Sequence, residues 1–222
     1  MPASERYPEP AISVDVVIFT ICEDALQLLL AKRQRPPHQG KWALPGGIVD
    51  LREDLDTSAL RHLREETGLT GVYLEQLYTF GNPSRDPRMR VVSVAYYALT
   101  PPARLSAQIN LEHNRLRWFT FTTRPHLAFD HDAIVDVARQ RLAAKLAYST
   151  IALQFLPERF TLRDLQNVYE IILGRALDKR NFRKHVLALD QIEETGEERR
   201  LGNHRPARLY RMKRPGQVEV IK

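Results

Sequence analysis

The spacing of apolar residues along this chain changes period several times, and each change marks an element. AISVDVVIFT (11–20) is rich in β-branched residues and reads as a strand; ALQLLLAKRQ (25–34) reads as its hairpin partner across a turn at 22–24. PPHQGKWALPGG (36–47) has the proline and glycine content of a loop. The period then lengthens: Leu55, Ala59 and Leu63 recur every four residues, which predicts a helix with one apolar face. Asp54 or Asp56 can cap its start and Gly68 is a natural stop. GVYLEQLYTFG (71–81), RVVSVAYYALT (90–100) and RLRWFTF (115–121) return to strand patterning. Residues 130–149 are helical again, with Ile134, Ala138, Leu142 and Leu146 spaced by four and Val135 beside them.

A second unit begins near Thr150, dividing the chain into 1–149 and 150–222. FTLRDLQNVYEIILG (160–174) opens with Thr161 as N-cap and Asp164 three residues on, a variant of the capping box, and Gly174 ends it. Leu162, Leu165, Val168, Tyr169 and Ile172 form its inner stripe. After the short link RAL, Asp178 caps a second helix, KRNFRKHVLAL (179–189). Phe182, Val186 and Leu189 face inward there, which leaves Lys179, Arg180, Asn181, Arg183, Lys184 and His185 outside. Two helices so closely linked suit a helix-turn-helix, whose second helix enters the major groove. QIEETGEERR and RPARLYRMK can pair as a β-hairpin across 200–205, giving a winged helix-turn-helix with Arg199, Arg200, Arg205 and Arg208 on or near the wing.

Charge sharpens that division. Residues 1–156 hold 18 lysines and arginines against 17 acidic residues, and residues 157–222 hold 15 against 10, so nearly all of the net +6 sits in the last third. That is the footprint of a nucleic-acid-binding unit. With Thr161 and the wing's Arg205 and Arg208, the outward residues of 179–189 are the candidate DNA contacts. The 222 residues, 43% hydrophobic, suffice for a real core. No apolar run reaches membrane-spanning length, the N-terminus lacks signal-peptide pattern, and Cys22 is alone; the cytoplasm is the expected home.

The candidate chemistry lies in GGIVDLREDLDTSALRHLREETGL (46–69). Gly47, Glu53, Arg61, Leu63, Glu65, Glu66, Gly68 and Leu69 fall in place in the pattern G-x(5)-E-x(7)-R-E-U-x-E-E-x-G-U, where U is aliphatic. The stretch therefore resembles the signature of the Nudix diphosphohydrolases. Positions 62, 65 and 66 share a helix flank, where a full signature places carboxylates for a hard cation such as Mg²⁺. Here His62 stands in place of one glutamate. Imidazole suits softer metals and, protonated, repels a cation. Glu53, Glu65 and Glu66 remain as candidate metal ligands, with no catalytic residue assigned. Gly46 and Gly47 can bring backbone N–H groups to an anion, Arg85, Arg88 and Arg90 can meet a phosphate, and Trp42 or Phe80 can contact a base or ribose. Glu112 is a further acidic candidate.

Taken with KWALPGG, with 155–189 and with GNHRPARLYRMK, this imperfect signature resembles the Nudix-related transcriptional regulators of NAD metabolism, the NrtR family, over essentially the full chain. The resemblance implies an α+β protein: a Nudix α/β/α sandwich followed by a winged helix-turn-helix. It implies a dimeric repressor of NAD-biosynthesis or salvage genes, released from double-stranded operator DNA by ADP-ribose or a related nucleotide. No cofactor is obligatory, and Mg²⁺ would enter with bound ADP-ribose. The alternative is a Mg²⁺-dependent ADP-ribose pyrophosphatase whose basic tail only assists.

Overall fold

The computed structural model describes residues 9–104, 115–200 and 206–220. The first unit is built on β1 (Ala11–Cys22), a strand buried on both faces. Because side chains alternate across a strand, Val14, Val16 and Ile18 face one way, against Ala59 and Leu63 of α1 (Leu55–Thr67). Val17, Phe19 and Ile21 face the other way, against Ile134, Val135, Ala138 and Leu142 of α2 (His131–Lys145). The result is the expected three layers, helix–sheet–helix.

β1 pairs with its hairpin partner β2 (Ala25–Lys32) and runs parallel to β6 (Val91–Leu99), whose outer edge takes β5 (Tyr73–Phe80) antiparallel. β7 (Leu116–Thr120) pairs with β2. Residues 36–47, expected to be loop throughout, contain two short strands. β3 (Trp42–Ala43) pairs with β2, and β4 (Gly46–Ile48) pairs with the start of β1. They form because β2 covers only the later half of one β1 edge, and Ser13–Asp15 there would otherwise lack ladder partners. The α1 boundaries are those expected: Asp54 accepts from the Thr57 N–H at 2.7 Å and Gly68 closes the helix. α2 stops at Lys145, short of residue 149.

The second unit opens with a buried 3-10 turn, Ile151–Phe155. α3 (Leu162–Leu173) carries the full capping box between Thr161 and Asp164 and ends at Gly174. α4 (Lys179–Ala188) starts at Asp178, whose carboxylate accepts from the Asn181 N–H at 2.8 Å. β8 (Ile192–Arg199) and β9 (Ala207–Met212) form the antiparallel wing hairpin, with a bulge between Glu194 and Glu198. The two units are not separate cores. A single buried cluster runs from Val17, Ile21 and Leu26 through α2 to Phe155, Leu165, Ile172, Phe182 and Tyr210. The chain end returns to the junction: Ser149 bridges Val220, and the Thr150 N–H donates to the Glu219 carbonyl at 3.0 Å.

Candidate functional site

In the first unit, one end of the sheet gathers the start of β1, the strands around Gly46, the 82–88 loop and the start of α2. Gly46 must be glycine: at φ 148° a Cβ would stand 2.1 Å from the Val14 carbonyl oxygen. The pairing of β1 with β4 sets Asp15 opposite Gly46, so the two glycines lie in a strand ladder rather than at a helix N-terminus. Nor is the Gly46 N–H free to meet an anion, because it donates to Glu66 Oε1 at 3.0 Å. The Gly47 backbone carries the His62 ring directly against it, close enough that a Cβ there would meet His62 Cε1 at 2.5 Å.

His62 is half-buried between two acceptors, with Nδ1 3.3 Å from Glu66 Oε1 and Nε2 3.4 Å from the Ile48 carbonyl. The Glu66 carboxylate raises its pKa above the ordinary histidine value, against the opposing effect of burial. The imidazolium can donate from both nitrogens, so this pocket favours the cation where the signature has a carboxylate. Glu53 is taken up as well. Arg61 grips it bidentately, Nε at 2.8 Å and Nη2 at 2.8 Å, and holds its carboxyl below the usual range. Glu65 lies 3.4 Å from the same guanidinium. The expected metal trio Glu53, Glu65 and Glu66 thus does not converge, and among the described residues no group of three His, Cys, Asp or Glu side chains is placed to hold an ion. These donors as arranged do not fit Mg²⁺.

The loop arginines are also placed differently from a solvated phosphate-binding row. Arg85 is 8% exposed. It donates to both oxygens of Asp130, from Nη2 at 2.8 Å and from Nε at 3.0 Å, and from Nη2 to Asp15 at 3.2 Å, so its fork is consumed inside the protein. Asp15 also accepts from Ser93 Oγ at 2.5 Å and faces His131 Nε2 at 3.4 Å. The network is closed by the Leu44 N–H, which donates to His131 Nδ1 at 2.9 Å. Arg88 is more open but spans both Asp86 oxygens, and Arg90 donates to the Gly81 carbonyl at 2.8 Å. Trp42 stacks edge-on with Phe119, and Phe80 with Tyr78, both half-buried against the main core. Arg33 carries no signal in the sequence. Its guanidinium lies 4.6 Å from the Phe129 ring centroid, half-buried, with no carboxylate in ion-pair range among the described residues. Burial, and then Arg88, lower its pKa. Nothing local in KRQR marks it, because the ring it covers comes from the start of α2. Glu112 lies outside the described residues.

In the second unit the outer face of α4 is as the pattern predicts. Lys179, Arg180, Asn181, Arg183, Lys184 and His185 are all exposed, with Phe182 and Val186 buried beneath. No ion pair engages the lysines and arginines of that face among the described residues. The wing is the reverse. Arg208 pairs with Glu194 at 2.9 Å, Arg211 with Glu193 at 2.7 Å, Arg159 with Glu197 at 2.5 Å, and Arg199 reaches across to Asp164 at 2.6 Å. Arg208 is therefore a neutralised member of the hairpin, and Arg205 lies outside the described residues. Thr161 is 3% exposed and its hydroxyl accepts from the Asp164 N–H, so it builds the α3 cap and presents nothing to a surface.

Two family descriptions match the chain that carries this geometry: "NUDIX domain" over residues 12–136 and "NrtR DNA-binding winged helix domain" over residues 152–212. The chain is 41% identical over 210 residues to the ADPR responsive transcriptional repressor NtrR of Acinetobacter baylyi, covering 92% of this chain and 83% of that protein. The chain belongs to the NrtR family. The crystal structure of Shewanella oneidensis NrtR complexed with a 27mer DNA superposes with a TM-score of 0.84 at 38% identity, over 91% of this chain and 93% of that one. The Nudix domain of the same protein, complexed with ADP ribose, matches 63% of this chain and 93% of that one with a TM-score of 0.54 at 35% identity. An ADP-ribose pyrophosphatase of Methanocaldococcus jannaschii is 34% identical over 129 residues, 58% of this chain and 73% of that protein. The likeness to the repressor covers 92% of this chain, whereas the likeness to the pyrophosphatase covers 58%. No helix among the described residues is long and apolar enough to cross a membrane.

Proposed function

We propose that this chain is an ADP-ribose-responsive transcriptional repressor that binds operator DNA through α4 and ADP-ribose through its Nudix unit. The observation that carries the reading is the exposed cation row of α4, without ion pairs among the described residues, while Arg208 and Arg211 of the wing are paired with Glu194 and Glu193. Its likeness to DNA-bound and ADP-ribose-bound NrtR supports both partners. Arg180 and Asn181 at the start of α4 are the base readers, since Arg pairs bidentately with guanine and Asn with adenine. The diphosphate falls to Arg33, which has no carboxylate partner among the described residues although it donates to the Pro37 carbonyl, and to Arg88, which stays half-exposed while pairing with Asp86. The regulated genes are those of NAD biosynthesis or salvage, and the working species is a homodimer in the cytoplasm, spanning half-sites about 34–36 Å apart. Hydrolysis is impaired, because His62 stands where the signature has a carboxylate and engages Glu66.

The test is fluorescence anisotropy on promoter DNA from the protein's own gene neighbourhood, at fixed salt, with and without ADP-ribose. Specific binding weakened by ligand that is recovered intact is the expected result. Absence of specific binding, together with rapid Mg²⁺-dependent cleavage of ADP-ribose, would establish the pyrophosphatase instead.

A further inference from the structure

Among the described residues, α3 is held by the Nudix unit through two polar contacts besides its apolar stripe, and each hold has an unusual feature. The first is at its middle, where Asn167 Nδ2 donates to Asp24 Oδ1 at 2.8 Å. Asp24 sits in the β1–β2 hairpin turn, where Glu23 (φ 52°) and Asp24 (φ 54°) are both left-handed. Two such positions in succession normally go to Asn-Gly or Asp-Gly, and side chains kept in this region are held there by their surroundings. The second hold is at the C-terminal end. Arg139 of α2 donates from Nη2 to the carbonyl of Ile172, in the last turn of α3. Carbonyls of a last helical turn have no partner within their own helix, and a cation there also meets the negative end of the helix dipole. Arg139 has no carboxylate partner among the described residues, and burial lowers its pKa, so the α3 terminus is what it serves.

These holds bear directly on α4. Gln166 donates to the Leu177 carbonyl at 2.9 Å and Glu170 accepts from the Leu177 N–H at 2.7 Å, so the link between the helices is fixed to α3. Turning α3 turns α4 with it. At its other end, α2 begins in the Asp15–Arg85–Asp130–His131 network beside Gly46. α2 therefore spans from the candidate nucleotide site to the end of α3.

We infer that Arg139 and the Asn167–Asp24 pair are positioning residues that set the orientation of α4 relative to the Nudix unit, and that they carry the ADP-ribose signal to DNA. The inference rests on the proposed function. Its physical requirement is that the ligand-bound and DNA-bound arrangements differ at these two contacts, because a ligand shifts an equilibrium only through differential interaction with the two states.

The experiment compares wild type with Asn167→Ala, Arg139→Ala, Arg139→Lys and the double alanine variant. Duplex DNA selected by the wild type from a random pool is the probe. Its affinity is measured with and without ADP-ribose, and ADP-ribose affinity is measured by calorimetry with and without that duplex. The two coupling factors must agree by linkage. The single alanine variants should keep each separate affinity within about threefold while the coupling factor falls about tenfold, and Arg139→Lys should recover part of it. A merely structural role would lower both affinities and leave their ratio unchanged, and that result overturns the inference. So does an undiminished coupling factor in Asn167→Ala, whose polar side chain lies outside the apolar stripe and leaves the core intact. If wild type binds both partners with no coupling, the proposed function itself fails, and the variants are not needed to show it.

Discussion

His62 shows how one side chain redirects a site without disturbing the fold around it. Its ring fills the space above Gly47 and engages Glu66, which itself holds the Gly46 N–H. His62→Glu should therefore do more than add a carboxylate: it places a like charge beside Glu66 and favours a divalent cation between them. ADP-ribose hydrolysis in Mg²⁺, followed by phosphate-coupled assay, should rise at least tenfold over wild type. No gain in a variant that binds ligand and metal would refute this account of position 62. His131 makes a different residue-scale prediction. Burial holds its pKa below the ordinary value, and its Nδ1 accepts from the Leu44 N–H, which requires an unprotonated nitrogen. Asp15 and Asp130 oppose that shift and Arg85 and Arg33 reinforce it. The folded chain thus binds fewer protons than the unfolded chain, whose histidine titrates near about pH 6.5. Its contribution is complete above that pH and declines as pH falls below it. Melting temperature should fall more between pH 8 and pH 5.5 in the wild type than in His131→Gln, because His62, whose pKa is raised, acts in the opposite sense equally in both.

The elements divide the second unit's charge in a way that total charge conceals. The basic excess of 157–222 was legible from composition, and the α4 face from its period. The pairing of Arg208 and Arg211 was not, because it depends on cross-strand register: pairing of Glu194 with Tyr210 and Glu193 with Arg211 brings β8 glutamates beside β9 arginines. Each phosphate that a protein neutralises contributes about 0.9 to the slope of log affinity against log salt. Lys184→Ala should therefore reduce that slope by about 0.9, whereas Arg208→Ala should leave it unchanged while loosening the hairpin. Equal effects on the slope would put the wing back on the phosphates. The helix caps were readable because Asp54, Thr161 and Asp178 act within three residues of themselves. β3 and β4 were not, since they exist to complete an edge of β1 that only the assembled sheet defines.

For the molecule as a whole, the sequence reading divides the chain at Thr150, but the buried cluster passes through that point without a break. Ile151, Ala152, Leu153 and Phe155 are buried among residues of both units. Local pattern reveals that such residues are apolar; it cannot reveal which unit they belong to. Calorimetric unfolding should accordingly show one transition, and Phe155→Ala, at about 3–5 kcal/mol, should lower it as a single peak. Two resolved transitions would indicate independent cores. The same dependence on distant partners explains why the burial of Arg85 and the stacking of Arg33 were not legible in the sequence. Arg85 is claimed by Asp130 and Asp15, and Arg33 is stacked by Phe129, all remote in sequence.

The Ser149–Val220 bridge clasps the second unit at its entrance: residues 219 and 220 come back to lie beside the point where the chain crosses from α2. A unit joined at one covalent junction can be exchanged at a single splice point near Thr150, if the replacement again offers a partner to Ser149 and Thr150. A different reading head could then be transplanted onto this body, provided that it brings its own counterparts of Leu165, Val168 and Ile172 to meet the exposed seam, and of Asn167 and the α3 terminal carbonyl to meet Asp24 and Arg139. The chimera would answer the same nucleotide at a new operator.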